Sequence, residues 1–120
     1  MRELNIGTKK YTKVSAMDKA GHGHANHIYE VHSIDRAGDI AKMDTRICFQ
    51  NGPIKEHGVN GVMNEDLLVI VIDRLKCFQC SEYRCKDNAL ALAKLEEALG
   101  HLNHRTTERE QRGVEGTHVV

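Results

Sequence analysis

The sequence predicts an α+β fold: a small antiparallel β-sheet of short strands, then a long antiparallel helical hairpin that oligomerises through its helices. Three observations predict it. The first half alternates polar and apolar residues in period two between glycine-containing turns. The second half holds two long stretches with apolar residues three and four apart, joined by a few residues. Those stretches carry more apolar surface than one seam between two helices covers, which calls for a second copy of the chain.

A chain of 120 residues is one domain's worth, long enough for a thin core. It divides into a strand-rich segment, residues 1–59, and a helical hairpin, residues 60–120, expected to pack as one compact unit. There are five aromatics and no tryptophan, so the core is aliphatic. Lys plus Arg and Asp plus Glu tie at 17, which leaves no net field to hold a long nucleic acid or an anionic membrane. The longest apolar run, residues 67–72, is too short to span a bilayer. The first five residues lack the apolar core of a signal peptide. A cytoplasmic chain with Cys48, Cys77, Cys80 and Cys85 as reduced thiols is expected.

Strands are expected at residues 10–14, 27–34 and 45–50, punctuated by the Gly21 to Gly23 loop, Ala37-Gly38-Asp39 and Asn51-Gly52-Pro53. Three short strands bury little by themselves and are expected to pack on the hairpin. Asn64-Glu65-Asp66 starts the first helix: a side-chain oxygen for the free amides, then acids at the positive end of the dipole. That helix runs to about residue 78 along a seam of Leu68, Val71, Leu75 and Phe78. The second runs from about residue 84 to 112 along Leu92, Leu95, Leu99 and Leu102.

His101, Arg105, Arg109 and Arg112 share one stripe of the second helix. Planar guanidiniums suit bidentate contact with phosphate oxygens, so the stripe reads as a clamp for a small anion or as a solvated, ion-paired face. Phe78, beside the turn, reads as a platform for a purine or as the last residue of the seam. Asn88 reads as an amide for an adenine edge or as a helix-start residue. Cys77, Cys80 and Cys85 lack a fourth ligand at zinc spacing and are expected as thiols buried around the turn. His22, His24 and His27 lie in a Gly-rich loop rather than on one helical face, so no metal is assigned. No nucleophile–base pair, phosphate loop or dinucleotide fingerprint is present, which favours a binder over an enzyme. No cofactor is implied.

Six blocks appear in order: Phe49-Gln50-Asn51-Gly52-Pro53-Ile54-Lys55-Glu56, Gly58-Val59-Asn60-Gly61-Val62, Val71-Ile72-Asp73-Arg74-Leu75 with Phe78-Gln79, Cys85-Lys86-Asp87-Asn88-Ala89, Lys94-Leu95-Glu96-Glu97-Ala98-Leu99, and Arg105-Thr106 through Arg112-Gly113-Val114-Glu115-Gly116-Thr117. Over about residues 47 to 117 the chain resembles the phage Thoeris anti-defence sponge family, which shares its helical-hairpin domain with the anti-CBASS cyclic-nucleotide sponge. His27-Ile28-Tyr29-Glu30-Val31 looks more like the Thoeris member. The resemblance implies a non-enzymatic protein of the infected bacterial host's cytoplasm. Such proteins sequester cyclic ADP-ribose isomers made by TIR-domain proteins without degrading them, so that the Thoeris effector is never triggered. Some members also hold cyclic di- or trinucleotides in a separate site. Members form homodimers, some assembled into hexamers as trimers of dimers. The family's ligand aromatic falls on Phe78, its base-contacting amide on Asn88 and two of its arginines on Arg105 and Arg109; Arg112 joins them on charge. The alternatives are a cyclic-nucleotide hydrolase or a regulatory oligomer that binds a partner protein. One departure is visible: the family turn Phe-Gln-x-Gly-Pro-Phe here reads Phe78-Gln79-Cys80-Ser81-Glu82-Tyr83.

Overall fold

The computed structural model describes the backbone of residues 1–120 and every side chain except those of Met43 and Asp44. Four strands form one antiparallel sheet in sequence order: β1 (Arg2–Glu3), β2 (Thr12–Ala16), β3 (Ile28–Ile34) and β4 (Ile40–Cys48). A short helix, α1 (Ile54–His57), follows the sheet, and two long helices complete the chain: α2 (Asn64–Gln79) and α3 (Lys86–Gln111). The small antiparallel sheet followed by a helical hairpin is the α+β arrangement the sequence predicts. The chain divides into two compact units, Met1–Val62 and Met63–Val120.

In the first unit β2 begins two residues later than expected, because Ser15 and Ala16 are the buried positions of that strand. β3 falls where alternation puts it. β4 begins five residues before the expected stretch, extended by its pairing with β3 from Ile34↔Ile40 onward. The two-residue β1 carries no alternation to read, yet it covers β2 through Arg2↔Ala16 and Glu3↔Ser15. Alternation puts Tyr29 and Val31 on one face of β3, and Glu30 and His32 on the other. The apolar face packs Tyr29 edge-on against Phe49, with ring centroids 5.6 Å apart. The unit runs to Val62, three residues past the expected boundary, since Val62 donates its N–H to the Cys48 carbonyl and accepts from Gln50. Gly61 is required at this crossing: a Cβ there would collide with the Phe49 backbone.

In the second unit, α2 starts at Asn64, but the cap is not the asparagine. Asp66 reaches back and accepts the Met63 N–H at 2.8 Å, as the third helical residue does in a capping box. The α2 seam also differs by one position. Ile72 is 7% exposed and Val71 43%. The inward row is therefore Leu68, Ile72 and Leu75, spaced four and three, facing the half-buried Leu92, Leu95, Leu99 and Leu102 of α3. Spacings of three-four and four-three both follow the 3.6-residue period, so the pattern alone did not select between the neighbours Val71 and Ile72. Val69, Ile70, Val71 and Leu90 stay exposed on the outside of the hairpin.

Candidate functional site

The hairpin turn positions two of the expected site residues. Gln79, last in α2, clasps the start of α3 with its amide. Its Nε2 donates to the Cys85 carbonyl at 3.1 Å, and its Oε1 accepts the Cys85 N–H at 3.1 Å. The Cys85 thiol sulfur caps α3, accepting the Asn88 N–H at 3.4 Å. Ser81 Oγ donates to the Phe78 carbonyl at 2.6 Å and accepts the Tyr83 N–H at 3.1 Å. These bonds close the turn with no residue of residues 80–83 at positive φ. Cys80, Ser81 and Glu82 thus need no glycine where the family turn has Gly-Pro.

Phe78 and Asn88 are both half-buried at this end. The Phe78 ring carries the Arg74 guanidinium over one face, 4.9 Å from its centroid. Asn88 Nδ2 donates to the Tyr83 carbonyl at 3.4 Å. Its Oδ1 and second amide proton have no partner among the described residues, so one donor and one acceptor remain for a base edge.

The arginines of α3 lie elsewhere. Arg105 is 17 residues beyond Asn88, about 25 Å along the axis at 1.5 Å per residue. It is exposed, and its guanidinium makes no hydrogen bond or ion pair among the described residues. Arg112 is also exposed and leans on Glu108 at 3.4 Å. Arg109 does not share their exposure. At 8% it is buried, because it continues the inward row from Leu102 and Thr106 at spacings of four and three. Its Nε donates to Glu115 at 3.0 Å. Nη1 donates to the Val119 carbonyl at 2.7 Å, and Nη2 to the Val114 and Thr117 carbonyls at 3.0 and 3.1 Å. Four of its five donors therefore hold the segment after α3, which turns back at Gly113 with φ of 72°. One Nη1 proton is uncommitted. The expectation of three guanidiniums on one solvent-facing stripe becomes one free, one ion-paired and one inward. The signal that Arg109 turns inward was present in its spacing from Leu102.

The remaining clusters do not gather into a catalytic set. Cys77, Cys80 and Cys85 are exposed rather than buried, because the turn is closed by Gln79, Ser81 and the Cys85 cap rather than by apolar packing of thiols. Among the described residues no three His, Cys, Asp or Glu side chains meet at metal-binding distance. His22 and His24 sit on one exposed 3-10 turn, while His27 is buried beside Asp18. Among the described residues no helix is long and apolar enough to cross a membrane.

Comparison with known proteins bears on this hairpin directly. The family model described as the Acb2/Tad1 hairpin domain matches residues 27–107. A curated relative from Bacillus phage SBSphiJ7, named Thoeris anti-defense 1, is 62% identical over 84 residues. The match covers 70% of this chain and 56% of the relative, so the chain spans little more than half the length of the protein it matches.

Proposed function

The chain belongs to the Acb2/Tad1 hairpin-domain family, and from that premise we propose that it is a phage anti-defence protein that acts against Thoeris as a sponge. It binds cyclic ADP-ribose isomers, holds them intact and keeps them from the effector. Cyclic di- or trinucleotides are the second ligand class. It works in the cytoplasm of the infected host, by affinity and stoichiometry rather than by catalysis. The ligand set is Phe78 for the base face, Asn88 for the base edge, and Arg105, Arg109 and Arg112 for phosphate.

The observation that carries this reading is the turn end of the hairpin. There an aromatic ring near the end of α2 and an amide in the first turn of α3, with one free donor and one free acceptor, are joined by a hydrogen-bonded turn. Such a pair reads a nucleobase by stacking and by edge contacts together. Arg105 supplies the uncommitted guanidinium that a pyrophosphate requires. Arg109 adds its remaining N–H and fixes the helix end from which Arg105 and Arg112 project.

The same geometry argues for a dimer. One copy separates Asn88 from Arg105 by about 25 Å, more than a cyclic dinucleotide spans, at the helical rise of 1.5 Å per residue. A second copy running antiparallel places its arginine end beside the first copy's turn. The exposed Val69, Ile70 and Val71 give the two copies an apolar face to share. The family resemblance allows such dimers to assemble further, as trimers of dimers. Capture of a micromolar signal needs a dissociation constant near nanomolar, about −12 kcal/mol.

The test is calorimetric titration with a panel of cyclic ADP-ribose isomers and cyclic oligonucleotides, followed by heat denaturation and chromatography of the released ligand. Tight binding with intact ligand returned is expected. Converted ligand would establish a hydrolase instead, and the absence of heat with every nucleotide would leave the partner-protein reading. Phe78→Ala and Arg105→Ala are each expected to weaken capture by tenfold or more, with the helical signal unchanged.

A further inference from the structure

Arg74 lies outside every role given so far. It sits four residues before Phe78, one turn down the same face of α2. Its guanidinium lies over the Phe78 ring at 4.9 Å, within cation–π range. It is exposed and has no carboxylate partner among the described residues, although Asp73 adjoins it. Other hairpin cations are engaged differently: Lys76 pairs with Glu96, Lys94 with Glu97 and Arg112 with Glu108. The result is an uncompensated guanidinium on the very ring assigned to the base. The α3 arginines of the same copy are about 25 Å away or more, at 1.5 Å per helical residue.

On the reading of the site given above, we propose that Arg74 is a ligand-binding residue, its guanidinium taking a phosphate oxygen of the nucleotide whose base stacks on Phe78. The base stacks on the Phe78 ring beside Arg74. The phosphate, one sugar away from that base, reaches round the ring edge to the guanidinium. Stacking on the ring holds the guanidinium plane before ligand arrives, which lowers the ordering cost of the contact. Each copy then contributes base platform and one phosphate contact from the same turn of α2, and the α3 arginines of the other copy meet the remaining phosphate.

The experiment titrates the full chain and its variants with the cyclic ADP-ribose isomer the wild type binds most tightly. Arg74→Ala is expected to lose tenfold or more in affinity. Arg74→Lys, which keeps a point charge but not the planar fork, is expected to fall between wild type and Arg74→Ala. Arg84→Ala serves as the control: Arg84 is exposed beside the same turn but makes no ring contact, and its variant is expected to bind as wild type does. Unchanged affinity of Arg74→Ala, with capture abolished by Phe78→Ala, overturns the assignment of Arg74 and leaves the site standing. Equal losses in Arg74→Ala and Arg84→Ala overturn it too, since a diffuse positive field then explains both. Unchanged affinity of Phe78→Ala sinks the site itself, and Arg74's role with it. A circular dichroism spectrum of each variant separates lost contacts from lost helix.

Discussion

The two units use their polar groups in opposite ways. The sheet unit pairs its buried carboxylate internally, although Ser15 Oγ, His27 Nδ1 and His32 Nδ1 are buried there without a hydrogen-bond partner among the described residues. Glu30, buried on the central strand β3, accepts from Arg46 Nε and Nη2 at 2.8 and 2.5 Å and faces His32 Nε2 at 3.1 Å. Asp18 holds the backbone entering β3, and after β4 the Asn60 side chain accepts the Asn51 N–H and donates to its carbonyl while Gln50 Oε1 accepts the Asn60 N–H. The hairpin unit does the reverse. Its exposed surface keeps Arg105, Val69, Ile70 and half of the Asn88 amide without intrachain partners among the described residues, and Arg74 with the Phe78 ring but no carboxylate. The groups the hairpin leaves uncommitted are cationic and apolar, the kinds that a ligand or a second copy covers. Arg109 is the exception within the hairpin, and it behaves like a residue of the sheet.

The contrast breaks most sharply at Ile72. It is the one buried apolar residue of the hairpin among those described. Ile72→Ala is expected to destabilise the hairpin by about 3 kcal/mol, within the range for large-to-small changes in a core. Urea unfolding followed by helical signal measures it. Ile70→Glu, two residues away on the opposite side of α2, is expected to leave that midpoint in place and instead lower the mass in solution. If both variants unfold alike, the exposed face is not an interface.

Arg109 comes next. Arg109→Ala strips three carbonyls and Glu115 of their donor, at a cost of about 2 kcal/mol, because water reaches part of the released segment. Hydrogen exchange is expected to rise in residues 114–119 and the last turn of α3. Loss of ligand in Arg109→Ala therefore does not by itself report a phosphate contact. Arg105→Ala gives the cleaner reading, since Arg105 holds nothing in its own chain.

How far the sequence could be read follows from the same physics. Period-two and 3.6-residue patterns report burial, and they located the strand at residues 28–34 and both long helices. They do not report contacts between polar atoms. Nothing in the spacing announces that Gln79 clasps Cys85, that Asp66 rather than Asn64 caps α2, or that a cysteine sulfur caps α3. Arg109 was legible in principle, as the next position of the inward row, but its charge argued for solvent and outweighed its spacing. Arg74 was also legible as four before Phe78, yet an arginine among other helical charges has no mark until its partner is absent. The two-residue β1 is too short for any pattern to appear.

Within the sheet, Glu30→Gln is expected to cost about 1.5 kcal/mol, as one charge-assisted partner is removed from Arg46 and an amide N–H₂ is forced against either Arg46 or His32. Chemical unfolding monitored at the sheet checks it. A loss as small as that of an exposed Glu96→Gln, which touches only Lys76 at 3.6 Å, would erase the distinction drawn between the units.

The finest test is acid. Burial works to raise the Asp18 carboxyl, but the N–H groups of His27 and Ile28 and the Asn26 amide outweigh it and hold the group below its ordinary value. Glu3 is also lowered, by hydrogen bonds from Lys9 and Lys13. For a carboxylate lowered on folding, the stabilisation is complete above its unfolded value and is lost as pH falls through the folded one. Sheet stability is therefore expected to decline below about pH 4, where ordinary carboxylates begin to protonate. Salt separates the two contributors. The Glu3 pairs are solvent-facing ammonium contacts and are screened at about 1 M salt, where the Debye length is about 3 Å. The Asp18 bonds are short contacts to backbone N–H groups and are not. In Asp18→Asn at high salt the acid decline is expected to flatten, and amide exchange at His27 and Ile28 to rise already at neutral pH. A decline that persists unchanged in that variant places the acid sensitivity elsewhere in the sheet.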